Sequence, residues 1–339
     1  MANNVSTLGQ QINLISRVKS IQAQMSTYQQ QISTGLKYQT FKDYGADSMR
    51  IQRYRSDLVD IEGFVYNIDI AQVNIEQMDT ALNETIEQAG NVLSAINIQL
   101  AKGSEFDIET IKQVAATALQ LVEANMNAKI GDRYLFTGTD VSNKPYVSPG
   151  VVTTNVQTRL EDWLDGTVNT STFLNNVKTM TDNQLGYSGT LGSAKNIYAR
   201  ADVTFDVDYT VLANNDGFKN IVAGLNVLAN MEMPVEGTDV PTKDDFHTAL
   251  NDIYKFVQDG VQNLRNSQAK TASAAGALQT MRDNHLNDRQ TLQKILENTE
   301  SADVTDAAVK FQALQGQLEA SYRVTAILSQ LSLSRFLGT

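Results

Sequence analysis

The chain has no cysteine and only four prolines in 339 residues. The first absence excludes disulfides and thiolate metal sites. The second matters by position. All four fall at Pro145, Pro149, Pro234 and Pro241, so the flanking stretches contain nothing that removes a backbone donor and breaks a helix. Aromatic residues make up only 7% against 42% hydrophobic residues overall, so most of any core is aliphatic. There are two histidines, His247 and His285, both read as solvated residues at the polar edges of helices. Residues 1–42 contain no Asp or Glu, only Arg17, Lys19, Lys37 and Lys42, although the whole chain carries a net charge of -11. An acidic chain is a poor match for nucleic acid, which calls for a basic patch. A first segment so poor in charge suits a surface buried between subunits, where dense charge is costly. No apolar run approaches the roughly 18 residues of a membrane span. The N-terminus also lacks the apolar stretch of a cleaved secretory signal, which by default predicts a cytoplasmic protein.

What the sequence does have is helical periodicity. Leu8, Ile12, Ile15, Val18, Ile21, Met25, Tyr28 and Ile32 recur in steps of three and four, a coiled-coil seam of period about 3.5. At the other end, Val309, Phe311, Leu314, Leu318, Tyr322, Thr325, Leu328 and Leu331 repeat at helical spacing. An amphipathic helix needs its apolar stripe covered, so the two ends are expected to pair. A second helical pattern starts near Met49 and runs to Leu100, long enough to imply a rod. A third covers Ile108 to Ile130 and makes an antiparallel helical hairpin with it. The segment GDRYLFTGTDVSNKPYV then predicts a short β-hairpin near 132–147. Between the prolines lie β-branched segments at Val151 to Val156 and Val203 to Val211, the latter alternating like a strand with one buried face, and a helix from Gly217 to Met231. From Asp244 another long helix begins, and Glu297 to Thr305 forms a joint before the last one.

The fold class expected is mainly α: long antiparallel helical rods, paired N- and C-terminal coiled-coil helices, a short β-hairpin and a small inserted α+β domain. The expected domains are an inner core of terminal helices (1–42 with 303–339), a helical rod (43–147 with 242–302, carrying the hairpin) and an outer insert (148–241).

Chemistry is scarce. GYSGTLG lacks the Lys and Ser/Thr of a phosphate-binding loop and reads as turns. Asn-x-Ser/Thr sequons at Asn4, Asn83 and Asn169 are chance-level matches, and Trp163 is read as core of the insert. No convergent polar cluster marks an enzyme; no catalytic, cofactor-binding or metal-binding residue is assigned. Self-assembly fits better, because the terminal helices carry more seam than one partner covers. The residues assigned to that interface are Leu8, Ile12, Ile15, Val18, Met25, Phe311, Leu314, Leu318, Tyr322, Leu328 and Leu331. Repeated head-to-tail contacts of one kind give rings or open helical filaments.

Three stretches carry a family likeness. Ile32, Ser33, Thr34, Gly35 and Asp43 resemble the end of the first core helix in bacterial flagellins. Tyr134, Leu135, Phe136 and Gly138 resemble a hairpin motif of the hook-associated branch of that family. Ala320, Ser321, Tyr322, Ser332, Leu333 and Leu337 resemble its C-terminal helix. The likeness covers roughly 1–145 and 245–339 and only loosely the insert. It implies a structural subunit of the bacterial flagellum, with terminal helices in the inner tube and the insert facing outward. It also implies type III export without signal cleavage, which reverses the cytoplasmic default, and terminal helices that order on assembly. The partners implied are copies of itself, a neighbouring hook-associated protein, flagellin and an export chaperone. Two roles compete: a subunit joining hook to filament, favoured by YLFTG, LEASY and the helix after VTFDVDYTV, and a flagellin building the filament, favoured by STGLK and SADVTDAAV. The junction role is preferred, with a secreted binding module carried by the insert as a distant alternative.

Overall fold

The computed structural model describes residues 2–102 and 107–337; the side chains of 2–8, 10, 11 and 328–337 lie outside that description. The described chain is dominated by helices: α1 (Ala2–Thr34), α2 (Asp47–Leu100), α3 (Ile108–Met126), α4 (Pro149–Leu164), α5 (Thr170–Lys178), α6 (Asp216–Asn230), α7 (Lys243–Glu300) and α8 (Val304–Leu337). Two antiparallel hairpins interrupt them, β1 (Lys129–Ile130) with β2 (Arg133–Tyr134) and β3 (Tyr198–Asp202) with β4 (Phe205–Asp208). Contacts divide the chain into two compact units, residues 1–62 with 286–339 and residues 63–285.

In the first unit α1 pairs with α8. In the second, polar pairs fix α2 and α7 antiparallel: Arg282 Nε donates to Asp69 at 2.7 Å, Gln72 Nε2 to Gln279 at 3.0 Å, Gln268 Nε2 to Asp79 at 3.0 Å and Asn97 Nδ2 to Tyr254 at 3.1 Å. As one number rises the other falls in step. α3 runs back along α2 in the same sense, with Asp107 N–H donating to Gln99 at 2.9 Å and Asn125 Nδ2 to Thr85 at 3.4 Å. The side chains between these pairs, among them Ile68, Met78, Leu82, Ile96, Ile111 and Val122, are buried.

The shorter helices start where their sequence provides caps. Asp107, Asn169 and Asn215 accept from backbone N–H groups of the first turn of α3, α5 and α6. α6 is buried along most of its length and packs on α3 and α4. Trp163 is core: it stacks on Phe173 at 4.9 Å and its indole N–H donates to Thr170 Oγ1 at 3.2 Å.

Four sequence expectations shift. Val151 to Val156, grouped with the β-branched strand segments, lies inside α4. Pro149 opens that helix, where its missing N–H costs nothing, and Val152, Val156, Leu160 and Trp163 are spaced to bury one face. The strand expected over Val203 to Val211 is regular only at 205–208; Val207, Tyr209 and Val211 are buried while Val203 and Phe205 are exposed. The 132–147 hairpin turns earlier, around Gly131, so that Leu135 and Phe136 follow the strand into the core. The third helix ends at Met126 rather than Ile130.

Candidate assembly surfaces

α1 and α8 pair along a seam whose inner members, Val18, Ile21, Met25 and Tyr28 on one helix and Phe311, Leu314 and Leu318 on the other, are only half-buried. Among the described residues of this pair, Ala307 alone is classed as fully buried. The rest of the apolar stripe is more exposed. Ile12 is 59% exposed, Ile15 55%, Tyr322 50% and Ile327 57%. The pair covers only part of the seam that each helix carries, so apolar surface is left over on both. The eleven interface residues assigned from the sequence therefore fall into three groups. Val18, Met25, Phe311, Leu314 and Leu318 are half-buried in the intramolecular pair; Ile12, Ile15 and Tyr322 are exposed, although the Tyr322 hydroxyl still accepts from Gln22 Nε2 of α1 at 3.1 Å. Leu8, Leu328 and Leu331 lie outside the described side chains.

The joint between this pair and the long helices is held by backbone and charge together. α1 ends at Thr34, and Gly35 (φ 71°) turns the chain into the left-handed region that glycine adopts without cost. Thr34 Oγ1 bonds the Gln30 carbonyl at 2.8 Å and accepts from Gln39 at 2.8 Å. The turn then lies against the end of α7: Lys37 N–H donates to Glu300 O at 2.7 Å and Ala302 N–H to Gly35 O at 2.8 Å. Lys37 Nζ reaches the Asn298 and Thr299 carbonyls at 2.9 and 3.2 Å, a cation on the last turn of a helix. Arg55 contacts both carboxylate oxygens of Glu300 at 2.9–3.0 Å and lies 5.4 Å over the Phe41 ring. Because the first joint is a short, hydrogen-bonded turn clasped to the second, the two ends of the chain enter the pair in fixed register.

The Tyr134–Gly138 segment is a staple. Leu135 N–H donates to Ala128 O at 3.0 Å, Phe136 O accepts from Ala213 N–H at 2.8 Å, and the Phe136 ring meets Phe218 of α6 edge-on at 5.3 Å. Gly138 has φ 61°, and a Cβ there would collide with the Lys195 carbonyl oxygen. The residues thus serve the second unit's interior.

His285 departs from its expected place. It is buried, stacks on Phe64 at 5.4 Å, and its Nε2 lies 2.7 Å from the Ala201 carbonyl, so it ties α7 to β3. Nearby, Lys270 Nζ binds Asp208 at 3.0 Å and the Thr210 carbonyl at 3.0 Å. Burial pushes the Asp208 carboxyl up, but the Thr210 N–H and Lys270 outweigh it and hold it below the usual carboxylate range. Among the described residues no cluster of three acidic or histidine side chains is placed to hold a metal ion, and no helix is long and apolar enough to cross a membrane.

Residues 5–140 match the bacterial flagellin N-terminal helical region, which covers α1, α2, α3 and the first hairpin. Flagellins are structural, non-enzymatic proteins of the extracellular flagellum. Among solved structures, the fold resembles a protein described, provisionally, as a flagellar hook-associated protein of Vibrio parahaemolyticus, at 13% identity and a TM-score of 0.53. That likeness covers 76% of this chain and 100% of the other. No curated protein matches the sequence.

Proposed function

We propose that this chain is a non-enzymatic structural subunit of the bacterial flagellum that polymerises through α1 and α8, and that its place is the junction between hook and filament. The observation that carries the reading is the uncovered apolar stripe on both terminal helices, in a chain whose residues 5–140 match the flagellin N-terminal helical region. Isoleucines that are more than half exposed on a helix pair gain by contact with another subunit, at about 25 cal/mol per Å² of apolar surface buried. The 148–241 segment is proposed to face away from the polymer axis. Export without a cleaved signal, an export chaperone, a hook-associated neighbour and flagellin complete the proposed setting. YLFTG and the Leu318–Tyr322 segment support the junction role.

A filament role is the second reading, supported by the Ser33–Thr34–Gly35 turn within the matched region. The two separate in one assay. Purified chain that stays monomeric alone but adds to hook fragments, seen by electron microscopy and sedimentation, is the outcome expected of a junction subunit. Spontaneous growth of long filaments would replace it with the filament role, and no assembly on hooks or on itself would end the flagellar reading.

A further inference from the structure

The second unit has an open groove of about 610 Å³ beside the first hairpin, between α2 and the strand pair that follows α5. Its floor is the side of α2 that faces away from the core: Tyr66, Ile70 and Val73, exposed by 66%, 44% and 49%. Their spacing of four and three makes them a second helical stripe, distinct from the buried one that includes Ile68, Ala71 and Ile75. The walls bring Tyr198 and two guanidiniums, Arg133 and Arg200. No carboxylate lines the groove, in a chain of net charge -11. Neither arginine forms an ion pair among the described residues; Arg200 donates only to the Val203 carbonyl at 3.0 Å. The groove is therefore apolar, basic and open on an acidic protein.

The complementary surface lies on the same unit. Between α6 and α7 the chain reads EMPVEGTDV, residues 232–240, with three carboxylates and no base. Val235 and Val240 in it are 60% and 66% exposed. The loop is ordered: Asp239 accepts from Val235 N–H and the Leu164 carbonyl accepts from Val240 N–H at 2.9 Å. Its first residue, Glu232, faces Lys112 at 3.9 Å, in the first turns of α3, close to where Asp107 meets Gln99 of α2. The groove sits near Asn74 of α2, whereas the start of α3 that carries Lys112 meets α2 at Gln99. At 1.5 Å per residue, those positions of α2 are about 37 Å apart along one helix. The loop cannot reach its own groove.

We infer that the 232–240 loop of one copy docks in the α2 groove of the next, its valines on the Tyr66–Ile70–Val73 stripe and its carboxylates on Arg133 and Arg200. This rests on the assembly reading above and adds a second contact to the one made by the terminal helices. A patch at one end and its complement at the other make a heterologous contact, which propagates head to tail along the direction of α2. Apolar contact supplies the affinity and the charges select register.

Charge reversal tests it on the full chain. Arg133→Glu with Arg200→Glu makes both surfaces acidic; Glu232→Arg with Glu236→Arg makes both basic. All four positions are exposed. Each double variant alone is expected to raise the critical concentration for assembly by about tenfold or more, since like charges now meet at the contact. An equimolar mixture is expected to assemble as well as the wild type, because each loop then finds a groove of opposite charge. Unchanged assembly of each variant alone, or no recovery on mixing, overturns the inference while wild-type polymerisation still stands. Failure of the wild type itself strikes the assembly reading instead. A second measurement guards against misfolding of the variants. The chain has no cysteine, so Val235→Cys with Tyr198→Cys introduces its only thiols. Under oxidation in assembled material the pair is expected to give a ladder of covalent multimers. Monomers, or dimers alone as from Val235→Cys by itself, would show that the groove takes some other segment or some other partner.

Discussion

Two residues set local terms that their neighbours must meet. Gly138 occupies positive φ with the Lys195 carbonyl where a Cβ would go. Gly138→Ala is expected to cost about 2 kcal/mol or more, from left-handed backbone plus displacement of Lys195. The check is a denaturant midpoint followed by Trp163 fluorescence, since that side chain is buried in the same unit. Asp208 gives a pH dependence whose sign is fixed. Its folded carboxyl titrates below the unfolded value of about 3.9, so the native state binds fewer protons there than the unfolded chain. Its contribution is complete above that value and is lost as the pH falls through the lower folded one. Melting temperature of the isolated monomer is expected to drop below about pH 4. In Lys270→Met that acid dependence should shrink, with a loss of roughly 1 kcal/mol at neutral pH. An unaltered profile would show that the ion pair contributes nothing. Neither residue's role was legible beforehand. His285 shows why: on one helix it sits among polar residues, and the strand that covers it, Tyr198–Asp202, approaches from 84 residues away.

Elements were legible in proportion to their length. The long helices α1, α2, α7 and α8 follow from apolar spacing alone, because dozens of residues repeat one period and no proline intervenes. α4 was obscured by valine and threonine, whose strand preference is weaker than the pull of a buried face spaced 152, 156, 160, 163. β3 reads Tyr-Ala-Arg-Ala-Asp and carries no strand signal; it exists because β4 and His285 bind its backbone. The joint was anticipated as turns on each side, but its clasp was not, since the partners Lys37 and Glu300 are 263 positions apart. That clasp predicts a measurable looseness. Lys37→Met with Arg55→Leu removes the helix-end cation and the Glu300 pair, worth together roughly 1–2 kcal/mol. Limited proteolysis within 35–46 and at 301–303 is expected to quicken several-fold, while the second unit's melting temperature stays put. Equal cleavage rates would mean that the backbone bonds alone hold the joint.

At the scale of the molecule, the paired termini leave part of their apolar seam exposed. Leu318 is half-buried in the contact within a chain, whereas Ile15 is 55% exposed. A periodicity of 3.5 marks apolar positions without saying which neighbour covers them, so the sequence could not sort these residues. The distinction makes two substitutions diagnostic. Leu318→Asp places a charge inside the intramolecular pair and is expected to lower helical content of the monomer as well as prevent assembly. Ile15→Asp is expected to leave the monomer's circular dichroism unchanged and still block polymerisation. A carboxylate buried without a partner at a subunit contact costs roughly 3 kcal/mol or more, and a loss of that size corresponds to about a hundredfold rise in critical concentration. If Ile15→Asp polymerises like the wild type, the exposed stripe on α1 is not an assembly surface, and contact between subunits must be sought on the second unit alone.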